Sequence, residues 1–191
     1  MDAIQEFAIQ ELEAPTAMRL EMQILQKEVS SPVVTSLELV AFFDKKKEYR
    51  SLSNFWENPV VVYANGEQKS YNSGEAAFHG EKYGRLSLES PEDRQKELAN
   101  YSKKFEIGGE FGDLKGIELK RRGGKNGLKL FENELILWNQ IAYEVRKEIC
   151  KYKHETYQEV RKDLKKSGMK ILVHPAAIHG LSSFLAEKKK H

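Results

Sequence analysis

The stretch "YNSGEAAFHGEKYGR", residues 71–85, decides how the rest of the chain is read. Asn72 stands three residues before Glu75, the spacing of a helix start in which the glutamate reaches back to the cap. A helix turns about 100° per residue, so His79 falls about 40° to one side of Glu75 and Lys82 about 20° to the other. Phe78 and Tyr83 flank this arc, with Ala76 and Gly80 beyond, while Ala77, Glu81 and Gly84 lie opposite. A solvated face would gather its charges on one side and its apolar groups on the other. Here the polar groups sit between aromatic and small residues, as on a helix lining a polar cleft, and Gly80 would let a backbone or a ligand come close. Two plainer readings stand beside this one: Glu75 serves only the helix start, or Glu75 and Lys82 are surface charges.

Working outward, "LELVAFF" (37–43) and "PVVVYA" (59–64) read as strands, and Asn65-Gly66 signals a tight hairpin into "EQKSY" (67–71). A second helix is expected from Ser90-Pro91 to about Phe105, with Pro91 at its first position. Residues 106–129 hold seven glycines and read as a long loop of functional or disordered kind. Phe131, Leu135, Trp138, Ala142, Val145 and Ile149 recur at intervals of three and four, giving a helix over 131–151 with one apolar face. A shorter helix over about 154–167 ends at Ser167-Gly168. "KILVH" (170–174) reads as a short buried strand or extended segment stopped by Pro175. Strands followed by helices, without regular alternation, predict an α+β domain rich in helix.

Residues 1–36 form an extension, helical or mobile, with Met18, Met22, Leu25 and Val29 at helical spacing between Pro15 and Pro32. Residues 37–191 form the domain. The 191-residue chain has room for one core. It has 40% hydrophobic and 31% charged residues, no apolar run of membrane-spanning length and no secretory signal at the start. A single cysteine, Cys150, excludes an internal disulfide and fits a cytoplasmic or nuclear setting. The five histidines show no metal-ligand spacing, so neither metal nor cofactor is expected. The extension has six acids against Arg19 and Lys27, a net −4; with +2 overall, the remainder carries +6. Part of that excess lies in "KGIELKRRGGKNGLK" (115–129), where Arg121, Arg122 and Lys125 sit in a glycine-rich loop suited to phosphate or a nucleic-acid backbone. The plain alternative is a solvated charged loop.

"YRSLSNFWENPVVV" (49–62) followed by "NGEQKSYNSGEAAFHGEKY" (65–83) resembles the signature of the NADAR-domain family, whose fold is called YbiA-like. The matching residues are Leu52, Ser53, Asn54 and Phe55, then Tyr71, Ser73, Glu75, Phe78, His79, Gly80, Lys82 and Tyr83. The resemblance covers about residues 37–177, and its later part is similar to the eukaryotic branch. The chain departs from the pattern from about residue 178. No tryptophan follows Trp138 and no "G-x-N-x-LG" segment is present.

The resemblance implies an N-glycosidase that cuts a ribosyl C–N bond, with Glu75 as the essential carboxylate and no metal. The implied substrates are ADP-ribose on guanine in nucleic acid, single-stranded DNA included, or phosphoribosylamino-pyrimidine intermediates of riboflavin synthesis. A non-catalytic ADP-ribose or nucleotide-binding module is the third reading, and a partner-binding acidic extension on an inert domain the fourth. His79 and Lys82 would contact ribose or phosphate, or tune Glu75. Ser53, Asn54 and Phe55 would meet the base or ribose, and Arg50, with the lysines at 45–47, a diphosphate. Trp138 is a candidate for stacking on the base, although its place on the apolar stripe favours core packing.

Overall fold

The structure is a computed structural model that describes residues 39–42, 48–64 and 66–173. The readings on residues 1–36, on the lysines at 45–47, on Asn65 and on the chain after 173 lie outside this range. The chain divides into two compact units, one of them Ser53–Arg161 and the other formed by the segments on either side of it. The fold class is α+β, dominated by helix.

Within Ser53–Arg161, strands β2 (Val60–Ala64) and β3 (Glu67–Tyr71) form the expected antiparallel hairpin, with Val60 opposite Tyr71 and Ala64 opposite Glu67. Alternation along β2 sends Val60 and Val62 into the core while Tyr63 stays exposed. Gly66 adopts φ +78°, a turn conformation that side chains resist.

Helix α1 (Gly74–Leu88) follows at once and is the centre of this unit. It packs against the hairpin and against α2 (Glu92–Lys103), α3 (Gly116–Gly123) and α4 (Glu132–Thr156). Burial therefore runs around its whole circumference, and the side expected to oppose the cleft is also interior: Ala77 and Glu81 are fully buried. Its cap is Ser73, not Asn72. The Ser73 hydroxyl accepts from the Ala76 N–H at 3.1 Å, while the Asn72 amide turns away to Gly112 O at 2.9 Å. Glu75 is then the second helical residue and is free of any capping duty.

Four further expectations are corrected. Pro91 is the residue before α2 rather than its first residue, and its extended ψ of 154° sets the helix off. The glycine-rich stretch 106–129 is not all loop. It contains α3, which one apolar anchor holds down: Leu119, 1% exposed, enters the core that α1 organises. The α4 stripe holds at Trp138, Ala142, Val145 and Ile149 but not at its start, where Phe131 and Leu135 are exposed. The inward position there belongs to Glu134, which accepts two bonds from Arg94 (2.7 and 2.8 Å) and one from the Phe131 N–H (2.8 Å). Helix α4 also runs past 151 to Thr156, so the next helix, α5 (Gln158–Ser167), begins only after a break at Tyr157.

The other unit pairs β1 (Leu39–Ala41) with β4 (Ile171–Val173) in parallel, Leu39 opposite Ile171. A 3₁₀ turn at Arg50–Leu52 is tied to the middle of α5 by the Ser51 hydroxyl, which donates to Asp163 at 2.6 Å. Gly168 closes α5 at φ +57°, as its position after Ser167 predicts.

Candidate functional site

The segment Ser53–Phe55 and the start of α1 are locked by the backbone. The Glu75 N–H donates to Asn54 O at 2.9 Å, and the Phe55 N–H donates to the Ser53 hydroxyl at 3.2 Å. Ser53 is itself buried, and its carbonyl accepts from Lys153 Nζ at 2.8 Å. Burial pushes the Lys153 ammonium down to about 8.

Glu75 is 8% exposed and His79 4% exposed. One helical turn apart, they meet with Nε2 of His79 3.2 Å from Oε1 of Glu75. Burial alone would raise the carboxyl pKa. The His79 hydrogen bond and the electrostatic attraction of His79, Arg146 and Lys120 together outweigh it, so Glu75 lies below the usual carboxylate range. The second oxygen, Oε2, has no hydrogen-bond partner among the described residues. Glu81, on the other side of the same helix, is the opposite case. Tyr71 donates to its Oε1 at 2.9 Å and Arg85 Nε to its Oε2 at 3.1 Å, so both oxygens are taken. α1 thus carries two buried carboxylates, one sealed and one with an oxygen to spare.

Helix α3 closes over this arc through Gly123. A Cβ at Gly123 would stand 1.9 Å from Cγ of His79 and 2.1 Å from its Nδ1, so glycine is required for the helix to lie on the imidazole. The Gly123 carbonyl accepts from Lys82 Nζ at 2.6 Å and from the Tyr83 hydroxyl at 3.2 Å. Lys82 is therefore bonded to protein backbone, with its ammonium 5.1 Å from the centre of the Tyr83 ring and 5.9 Å from that of Trp138. What comes close to Gly80 is the Tyr71 ring, 2.3 Å from where a Cβ would be.

The remaining sequence candidates scatter. Trp138 is 1% exposed and packs edge-on against Phe78 at 5.0 Å, so it is core and offers no face for stacking. Arg121 and Arg122 belong to α3 and not to a loop; Arg122 lies over the Phe111 ring at 5.4 Å, and Lys125 is exposed in the turn beyond. Arg50 is exposed in the other unit. Two residues that act on Glu75 escaped the sequence reading. Arg146, with its guanidinium 4.4 Å from the Phe78 ring centre, sits one turn after Ala142 on the edge of the α4 stripe, and that position was the available signal. Lys120 was visible only as one charge in a basic run.

A cavity of about 260 Å³ opens at the start of α1, with Phe55 and Ser73 in its wall. Among the described residues no group of three His, Cys, Asp or Glu side chains could hold a metal ion, and no helix is long and apolar enough to cross a membrane.

Comparison with protein-family models finds no match, and none is found among curated proteins. Among solved structures the chain is similar to the E. coli protein YbiA, determined by NMR, with 17% sequence identity and a TM-score of 0.45 over 83% of this chain and 91% of that one.

Proposed function

We propose that the chain is an N-glycosidase of the NADAR family, of its eukaryotic type, hydrolysing a ribosyl C–N bond with Glu75 as its catalytic residue. The observation that carries the reading is a carboxylate that is buried, held ionised and left with one oxygen that has no hydrogen-bond partner among the described residues. The motif resemblance supplies the reaction class. The proposed substrate is ADP-ribose joined to a guanine base in nucleic acid.

As the C1′–N bond lengthens, its electron pair leaves with the base nitrogen and positive charge gathers on C1′ and the ring oxygen. A carboxylate beside that carbon stabilises the charge. Its spare oxygen takes a proton from the attacking water, and the new C1′–O bond completes ribose. The leaving base takes up a proton and departs neutral. Proton removal of this kind contributes typically ~10²–10⁴-fold. Glycosidases ordinarily use two carboxylates; with a nucleobase leaving group, protonation of the ring replaces the second. His79 orients Glu75 through Oε1 and leaves Oε2 for water. The cations on α3 and α4 keep the carboxylate in its basic form.

The test is release of free ADP-ribose from a single-stranded oligonucleotide carrying it on guanine. Wild type should release it and Glu75→Gln should not. If a folded wild-type protein releases nothing, the phosphoribosylamino-pyrimidine becomes the substrate to try. If that also stays intact, the hydrolase reading is wrong and a nucleotide-binding module replaces it.

A further inference from the structure

We infer that Lys153 is a positioning residue for Glu75: by holding the Ser53 carbonyl it fixes the turn at Ser53–Trp56, and that turn fixes the backbone of Glu75. Its importance for catalysis rests on the reading of Glu75 above, whereas the clamp itself rests on geometry.

A helix leaves its first N–H groups without partners inside the helix. At the start of α1 the Ser73 hydroxyl accepts from the Ala76 N–H at 3.1 Å, and the Ser73 carbonyl accepts from that of Ala77 at 3.0 Å. The Glu75 N–H is met from elsewhere, by Asn54 O at 2.9 Å. The candidate carboxylate therefore hangs from a backbone unit tied to a turn that is remote in sequence.

That turn is drawn together around buried Ser53. The Ser53 hydroxyl accepts from the Phe55 N–H at 3.2 Å, and its carbonyl accepts from the Trp56 N–H, also at 3.2 Å. These local bonds shape the turn, while α4 sets where it lies. Ile149 and Lys153 stand one helical turn apart on α4. A Cβ on Gly74 would be 3.2 Å from Ile149 Cγ2, 3.3 Å from Asn54 Cα and 2.9 Å from Asn54 Oδ1, so α4, the turn and α1 meet at a residue without a side chain. One helical turn along, Lys153 Nζ donates to Ser53 O at 2.8 Å, with the Trp56 ring centre 5.9 Å away.

Burying an amine here costs desolvation energy that an apolar side chain would avoid. What the amine supplies in return is a directional bond to a buried carbonyl. An ammonium and a neutral amine both donate, so the clamp holds in either protonation state. Arg146 and Lys120 act on the Glu75 carboxylate through charge, whereas Lys153 acts through bonded backbone. A reacting group has to be held within about 0.5 Å of its productive place, a tolerance that a loosened turn exceeds before a helix packed on every side unfolds.

The experiment pairs hydrogen exchange with kinetics on Lys153→Met. Exchange at the Glu75 amide, followed by NMR, should speed up by about tenfold or more beyond the change shared by core amides such as that of Val145. On the single-stranded oligonucleotide carrying ADP-ribose on guanine, kcat should fall by about tenfold or more with KM within about twofold of wild type. A residue that only supports the fold would shift all the amides together and leave kcat alone. Lys153→Cys in a Cys150→Ser background gives the rescue. Alkylated with 2-bromoethylamine in denaturant and refolded, it regains an amine at the length of lysine. Glu75 protection and kcat should then return towards wild type, and the unalkylated variant should lack both. Glu75 exchange that merely tracks the core amides, or alkylated and unalkylated proteins that behave alike, would overturn the assignment. If wild type releases no ADP-ribose, the hydrolase reading is what fails, and the exchange result decides the clamp by itself. If wild type cleaves while Lys153→Met keeps its kcat and its Glu75 protection, the hydrolase stands and the clamp falls.

Discussion

Gly123→Ala is the substitution that most directly probes how α3 is fitted to the candidate site. At an exposed helical position such a change stabilises a protein by about 0.4–1 kcal/mol, because alanine restricts the unfolded chain. Gly123 is buried, and its new methyl would overlap the His79 ring at 1.9–2.3 Å from three ring atoms. The ring has little freedom to yield. Phe78 stands 5.7 Å from it and Phe105 5.9 Å, centre to centre, and its Nε2 is held by Glu75. The end of α3 cannot lift without breaking the bonds from Lys82 and Tyr83 to the Gly123 carbonyl.

Overpacking of this kind costs ~1–3 kcal/mol. At about 2–4 °C per kcal/mol for a chain of this size, the midpoint should fall by roughly 2–12 °C. If His79 swings away, Glu75 loses its largest stabilising partner and its pKa rises towards the ordinary range. The assay is thermal unfolding followed by circular dichroism, together with NMR titration of the Glu75 carboxyl. Gly124→Ala is the control, since its Cβ would meet only the Lys120 carbonyl at 3.2 Å. A Gly123→Ala protein as stable as wild type, with Glu75 titrating unchanged, would refute the packing argument.

Three other outcomes follow from the buried charges. Because the folded pKa of Glu75 lies below the unfolded one, its contribution to stability is complete above the ordinary carboxylate range and is lost as pH falls through the depressed value. Arg146→Met should move that acid limb to higher pH in urea unfolding between pH 7 and 3, and Glu75→Gln should abolish it; an identical limb in Glu75→Gln would exclude Glu75 as its source. Glu81→Leu removes the acceptor for both Tyr71 and Arg85 from a fully buried position and should cost about 3 kcal/mol in urea unfolding; a change below about 1 kcal/mol would mean that Glu81 is not the anchor it looks. Lys153 has the reverse sign: its folded pKa, about 8, lies below the ordinary lysine value of 10.5, so the unfolded chain binds more protons between these values and stability should rise with pH across that window. The rise should be absent in Lys153→Met, and its survival there would assign it to another group.

The hairpin and α4 were legible because each rests on a local rule. Asn65-Gly66 marks the turn, and Trp138, Ala142, Val145 and Ile149 repeat at helical spacing along a single buried face. Helix α3 was not legible. Its glycines weigh against a helix, and what fixes it is tertiary: Leu119 in the core and the bonds from Lys82 and Tyr83 to the Gly123 carbonyl. The same distance in sequence hid Arg146 from the site, although the pairing of Glu75 with His79, four residues apart, could be read at sight.

Helical spacing puts Glu75, His79 and Lys82 on one arc of α1, yet α1 is buried all round and has no outward side to contrast with it. Exposure cannot separate function from structure on such a helix, since Glu75 and Glu81 are both interior. Saturation can. A buried carboxylate is tolerated when its charge is balanced and its oxygens are bonded. Glu81 meets both conditions with side chains of the fold, Tyr71 and Arg85. Glu75 meets the first through His79, Arg146 and Lys120, and the second at Oε1 alone. That residual valence, more than its burial or its place on the helical wheel, distinguishes Glu75 from Glu81 and supports the role proposed for it.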